Sequence, residues 1–230
     1  MLLPIPHRED PERYTALCAV SSPLVELTQA GGFDVRMQYS LRGLSCAVSR
    51  CYVRQEVKER LLDAQNRLPN GWRLRIWDAW RPFALQQELY DRYSQQLLQQ
   101  VHLETAPQEQ QRRLLDKFIS FPENDRTVPP VHTTGGAVDV TLIDAAGNEL
   151  NMGTAFDAFG DEAMTNYYET IGNAEEVACH RRILYSCMTA AGFTNLPSEW
   201  WHFDYGDRFW AYYNHTPALY SGAFTIEEVK

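Results

Sequence analysis

Hydrophobic positions along the chain change period several times, and each change marks an element. From Gln55 to Leu68 they fall at Val57, Leu61, Leu62, Ala64 and Leu68. That is helical spacing, and Pro69-Asn70-Gly71 ends it. Trp72 to Trp80 then alternates, with Trp72, Leu74 and Ile76 set against Arg73, Arg75 and Trp77, which predicts a strand with one buried face. Arg81-Pro82 closes that strand, and proline suits the first turn of the helix predicted from Pro82 to His102. Pro107 to Ile119 is a further amphipathic helix. Phe121 to Pro130, with Pro122, Pro129 and Pro130, reads as an extended loop. Val138 to Ile143 predicts a buried strand, with a turn over Asp144 to Asn148 and a return over Glu149 to Asn151.

The remainder is less regular. Residues 1 to about 33 hold Pro4, Pro6, Pro11, Pro23, Gly31 and Gly32 and read as an irregular lead-in wrapped over the core. Phe33 to Leu41 alternates roughly, as a strand would. Met152 to Gly172 is loop-like. Asn173 is the expected cap of a helix lined by Val177, Ile183, Leu184, Cys187, Met188 and Ala191, with Glu175 and Glu176 in its first turn and Gly192 as its stop. Phe193 to Tyr205 is expected as a strand interrupted by Pro197, and the tail from Asp207 is aromatic. No repeat or linker divides the chain. Helices and short strands without regular alternation predict an α+β fold: one domain over 1–230, a small, mostly antiparallel sheet flanked by helices.

Composition narrows the partners. With 230 residues, 44% of them hydrophobic, the chain can bury one sizeable core. A formal net charge of -9 argues against nucleic acid or an anionic polymer as partner, since these need clustered positive charge. No window approaches the ~18 apolar residues of a membrane span. The five cysteines, Cys18, Cys46, Cys51, Cys179 and Cys187, are odd in number and form no CxxC pair. They read as reduced, buried thiols, and with no signal peptide in Met1 to Asp10 the chain reads as cytoplasmic. The oligomeric state is left open.

The chemistry gathers in two stretches. His132 and Asp139 lie either side of Gly135-Gly136, whose glycines permit a tight turn that can fold the histidine back over the following strand. Asp139 sits inside Ala137-Val138-Asp139-Val140-Thr141-Leu142, and a carboxylate in an apolar strand costs several kcal/mol unless it is paired or binds a metal. Glu199-Trp200-Trp201-His202 offers a second imidazole and a spare carboxylate. On a regular strand positions three apart face opposite ways, so Glu199 reaches the same centre only if Pro197-Ser198 makes that stretch irregular. On residues alone, His132 is equally a loop histidine bound to a carbonyl, and the second stretch an aromatic core strand. Together they supply what a catalytic zinc asks for: three ligands, an open position and a neighbouring base. HExxH, GxSxG and phosphate-binding glycine loops are absent.

His132-x6-Asp139 followed by Glu199-Trp200-Trp201-His202 resembles the D-alanyl-D-alanine dipeptidases of the vancomycin-resistance type, within the wider zinc D,D-peptidase and hedgehog-like superfamily. The resemblance spans roughly Gln55 to Phe209. It includes Trp77-Asp78-Ala79-Trp80-Arg81-Pro82, Asn124-Asp125-Arg126 and Met152-Gly153-Thr154-Ala155-Phe156-Asp157. It implies one Zn2+ held by His132, Asp139 and His202, with Glu199 as the general base. It further implies Arg81 as the cation facing the charged tetrahedral intermediate and Asp157 as the carboxylate holding the ammonium group of a small D-dipeptide. Hydrolysis of that dipeptide to free amino acids is the implied reaction, part of cell-wall turnover. The alternatives are a D,D-carboxypeptidase that trims wall peptides and a zinc-stabilised binding module without turnover. Two departures stand out. Pro130 occupies the place of the family's small hydroxyl residue, and Thr133-Thr134 replaces a serine-containing pair.

Overall fold

The computed structural model of the chain describes residues 2–11, 17, 20, 22–115, 122 and 124–229. The end of the helix expected to reach Ile119, Phe121 and Cys18 fall outside these residues.

Strands β1 (Leu24–Leu27), β2 (Asp34–Val35), β3 (Cys51–Arg54), β4 (Arg73–Asp78), β5 (Ala137–Ile143), β6 (Thr194–Asn195) and β7 (His202–Asp204) form two sheets. β1 and β3 pair antiparallel; the larger sheet runs β2-β4-β5-β7-β6, parallel only between β2 and β4. The described helices longer than one turn are α2 (Gln55–Asn66), α3 (Phe83–Gln100), α4 (Gln108–Leu115), α5 (Glu175–Ala190) and α6 (Arg208–Asn214); α1 (Gln38–Leu41) is a single turn. The fold is α+β, as the pattern predicts.

One side of the large sheet builds the core. Leu74 pairs with Leu142, Ile76 with Val140 and Val138 with Phe203 across the strands. These join Val57, Leu61 and Ala64 of α2 and Leu184 and Met188 of α5 in one apolar cluster. Alternation along β5 turns Ala137 and Asp139 to the opposite side, where Ala137 packs with Val131 and Phe209. The site is built from that side. β4 keeps its alternation up to Ile76. A register shift between Ile76 and Asp78 then turns both Trp77 and Asp78 inward.

Several expectations are corrected. The lead-in is not wholly irregular, since it contains β1, paired with β3. Of Phe33 to Leu41 only Asp34–Val35 is strand. The chain leaves the sheet after Arg36 and winds into α1, which turns Tyr39 inward. Asn173 does not cap α5. It adopts a left-handed backbone (φ 66°), which asparagine tolerates, and Ala174 occupies the cap without a side-chain bond. Phe193 to Tyr205 is two short strands folded back on each other rather than one. The aromatic tail opens with α6, capped by the Asp207 side chain on the N–H groups of Phe209 and Trp210. Cys51 and Cys187 are buried, but Cys179 is exposed. No described helix is long and apolar enough to cross a membrane.

Candidate active site

Asp139 is the hinge of the site. In the sheet it stands opposite Asp78 of β4 on one side and His202 of β7 on the other. His132 joins them from a 3-10 turn, Val131–Thr134, that runs directly into β5. Two glycines permit this junction. Gly135 has φ 75°, and a Cβ there would stand 2.2 Å from Leu24. Gly136 lies so close to the following chain that a Cβ would meet the Tyr205 carbonyl at 2.5 Å.

The three side chains converge. His132 Nε2 lies 3.2 Å from His202 Nδ1 and 3.5 Å from Asp139 Oδ2, and His202 Nδ1 is 3.2 Å from Asp139 Oδ1. All three residues are buried. The outward nitrogens are committed elsewhere: His132 Nδ1–H donates to the Ala79 carbonyl, and His202 Nε2–H donates to Asp204, both at 2.8 Å. The inward nitrogens therefore present lone pairs to one point, together with a carboxylate. Ligands 2.0–2.1 Å from a tetrahedral zinc stand about 3.3 Å apart, so these separations suit such an ion. The charge also fits. Burial works against a His202 imidazolium, yet Asp204 and Asp139 outweigh it and raise its pKa, so positive charge is favoured at this point. Burial raises the Asp139 carboxyl, but the two histidines overcome it and hold Asp139 below the usual carboxylate range.

Glu199 does reach the same centre. Leu196 to Trp201 forms turns rather than a strand, with Glu199 N–H donating to Leu196 O and His202 N–H to Glu199 O. Three residues apart in a turn, Glu199 and His202 point the same way, and Glu199 Oε2 lies 3.9 Å from His202 Nδ1. Its side chain keeps 39% exposure, and the buried Trp201 lines the same pocket. Loss of hydration pushes the Glu199 pKa up to about 7. Asp139 and Asp157 add to this, and His202 and Arg81 oppose it.

Arg81 lies at the same centre, buried. Its Nε and Nη2 both reach Asp78 Oδ2, at 2.9 and 2.8 Å. Nη1 donates to Gln86 Oε1 at 2.7 Å, and Nη2 is 3.7 Å from Asp139. Asp157 approaches from the other side on a left-handed backbone (φ 61°). It accepts from the Tyr39 and Tyr93 hydroxyls, each at 2.9 Å, and from Arg42 Nη1 at 2.6 Å. Its long loop is held by buried Arg181 of α5, which donates to the carbonyls of Met152, Glu162 and Met164. All six predicted site residues line one cavity of about 460 Å³, with Pro130 and His7 to Asp10 also on its wall. Thr133 does not replace the missing hydroxyl, because its Oγ1 donates back to Pro130 O at 2.7 Å.

The sequence reading missed Asp204, Asp78, Gln86, Tyr39, Tyr93 and Arg42. Asp204 carried a signal: it is two residues from His202, hence on the same strand face. Asp78 carried one as well, three residues before Arg81. The two tyrosines and Arg42 carried none, because their contacts to Asp157 span 64 to 118 residues of chain.

Comparison with known proteins points one way. A family model described as D-ala-D-ala dipeptidase matches residues 40–220. A D-alanyl-D-alanine dipeptidase of Synechocystis sp. is 32% identical over 155 residues, 62% of this chain and 63% of that protein. One of Escherichia coli is 33% identical over 120 residues, 52% of this chain and 55% of that protein. Each match thus spans less than two thirds of the relative. A solved LD-carboxypeptidase covers 90% of this chain and 81% of its own, with 19% identity and a TM-score of 0.37, too low to carry weight.

Proposed function

Because the chain belongs to the D-ala-D-ala dipeptidase family of M15 peptidases, we propose that it is a zinc peptidase that hydrolyses D-alanyl-D-alanine, or a closely related D-dipeptide, to free amino acids. The observation that carries this is the convergence of His132, Asp139 and His202 to 3.2–3.5 Å of one another, with Glu199 beside them in the same cavity.

A bound zinc ion would supply water acidic enough to attack as hydroxide near neutral pH. His132 Nε2, His202 Nδ1 and an Asp139 oxygen would hold the ion. Glu199 takes the proton that the attacking water gives up and later returns it to the leaving amine. A carboxyl with a pKa near neutrality is suited to both transfers. Arg81 is a fixed cation for the oxygen that gains charge as the carbonyl is attacked. Asp78 and Gln86 keep its guanidinium in place, so little reorganisation is needed. Asp157 holds the free ammonium group of the substrate, competing with Arg42 for Oδ2, and thereby restricts turnover to short peptides.

The test is a substrate panel on the metal-loaded protein. D-alanyl-D-alanine should release D-alanine. The N-acetylated dipeptide and a wall pentapeptide, which lack an ammonium at that place, should be turned over far more slowly. Equal rates on the pentapeptide would replace the dipeptidase reading with a carboxypeptidase one. Absence of turnover on every D- and L-dipeptide, with zinc fully bound, would favour a binding module.

A further inference from the structure

His202 is held from behind by a buried pair of acids that the reaction itself does not use. Asp204, with no exposed surface, lies on the same face of β7 and accepts the His202 Nε2–H at 2.8 Å. Three residues further on, Asp207 is equally buried. One of its oxygens accepts the N–H groups of Phe209 and Trp210 at 3.0 Å and so starts α6. The remaining Oδ2 of each acid has no hydrogen-bond partner, and Asp204 acts on Asp207 as an adjoining side chain. Two buried carboxylates side by side repel, whereas a carboxylic acid beside a carboxylate satisfies both. Gly136 makes this proximity possible: a Cβ there would press 2.5 Å on the Tyr205 carbonyl and 3.3 Å on Asp207 Cβ.

We propose that Asp204 and Asp207 are positioning residues for His202. Asp204 fixes the ring so that Nδ1 is the nitrogen facing the metal, and Asp207 locks Asp204 to the first turn of α6. The inference rests on the metal reading of the site given above. It adds which nitrogen binds, and it ties the third ligand to an element outside the sheet. Groups of this kind set the tautomer and basicity of a liganding histidine, and losing one typically weakens metal affinity about 10–100-fold.

The test measures zinc affinity of the full chain by competition with a chromophoric chelator, with the thermal midpoint recorded alongside. Asp204→Ala should weaken binding about 10–100-fold. Asp204→Asn, which keeps an acceptor oxygen for Nε2–H, should lose less. Position 207 separates positioning from helix capping. Asp207→Asn keeps both the cap and a donor toward Asp204 and should bind zinc nearly as the parent does. Asp207→Ser keeps the cap but is too short to reach Asp204, and should bind several-fold more weakly than Asp207→Asn at a similar thermal midpoint. Parental affinity in Asp204→Ala, or equal affinity in the two Asp207 variants, would overturn the proposal. A parent protein that binds no zinc would instead overturn the metal reading beneath it.

Discussion

The two sides of the cavity are built differently. On one side stand His132, Asp139, His202 and Arg81, all buried and set on or directly beside paired strands. On the other stands Asp157, on a loop outside the sheet, held by side chains from α1, α3 and α5. The sheet side fixes atoms to within a hydrogen bond of where metal chemistry needs them, and strands are rigid enough to do so. The loop side depends on contacts between segments far apart in sequence. Its contacts do not involve His132, Asp139 or His202. The missing hydroxyl at Pro130 is consistent with this: the residue lines the cavity, yet the neighbouring His132 keeps its place.

If this division is sound, substitutions on the sheet side should cost turnover and those on the loop side should move KM. The largest effect is expected at Glu199. Glu199→Gln should lower kcat/KM about 10²–10⁴-fold with little change in KM, as loss of a general base does. In the parent, the deprotonated carboxylate is the active form, so kcat/KM should rise with pH and level off above about 7. A cation in the site favours the carboxylate and so moves this limb to lower pH, never higher. A rate that falls as pH rises through 7 would contradict the assignment.

Arg81→Ala comes next, with an expected loss of about 10²–10³-fold in kcat. It also leaves Asp78 buried without its cation, so a fall of about 3–5 kcal/mol in stability is expected by denaturant titration. A large rise in KM with kcat intact would place Arg81 in binding and break the division.

On the loop side, Arg181→Met should raise KM while leaving kcat within a few-fold. It strips three carbonyls of their donor and loosens the segment that carries Asp157. Arg42→Ala is the smallest expected change and has the opposite sign. Without the guanidinium at 2.6 Å, Asp157 is freer to accept a substrate ammonium, so KM should fall modestly. A rise in KM would mean that Arg42 supports the substrate site rather than competing for it.

The same division decides what could be read from sequence. Asp139 was legible because an acid in an apolar strand demands a partner, and Gly135-Gly136 because such turns need glycine. The Glu199–His202 geometry was open, since a strand and a turn place positions three apart on different sides, and only the fold shows the turn. β1 was hidden within a proline-rich lead-in. At Asn173 the local preference for a cap gave way to a left-handed turn. The bracing of Asp157 could not be read at all, because it comes from residues that meet only when the chain folds.

The central claim is that His132, Asp139 and His202 hold a metal that works through Glu199. The most direct measurement pairs zinc content with turnover of D-alanyl-D-alanine in the parent and in Glu199→Ala. The account predicts the same zinc occupancy in both proteins and D-alanine release from the parent alone. Undiminished release from Glu199→Ala, or release from a parent stripped of metal, would contradict it.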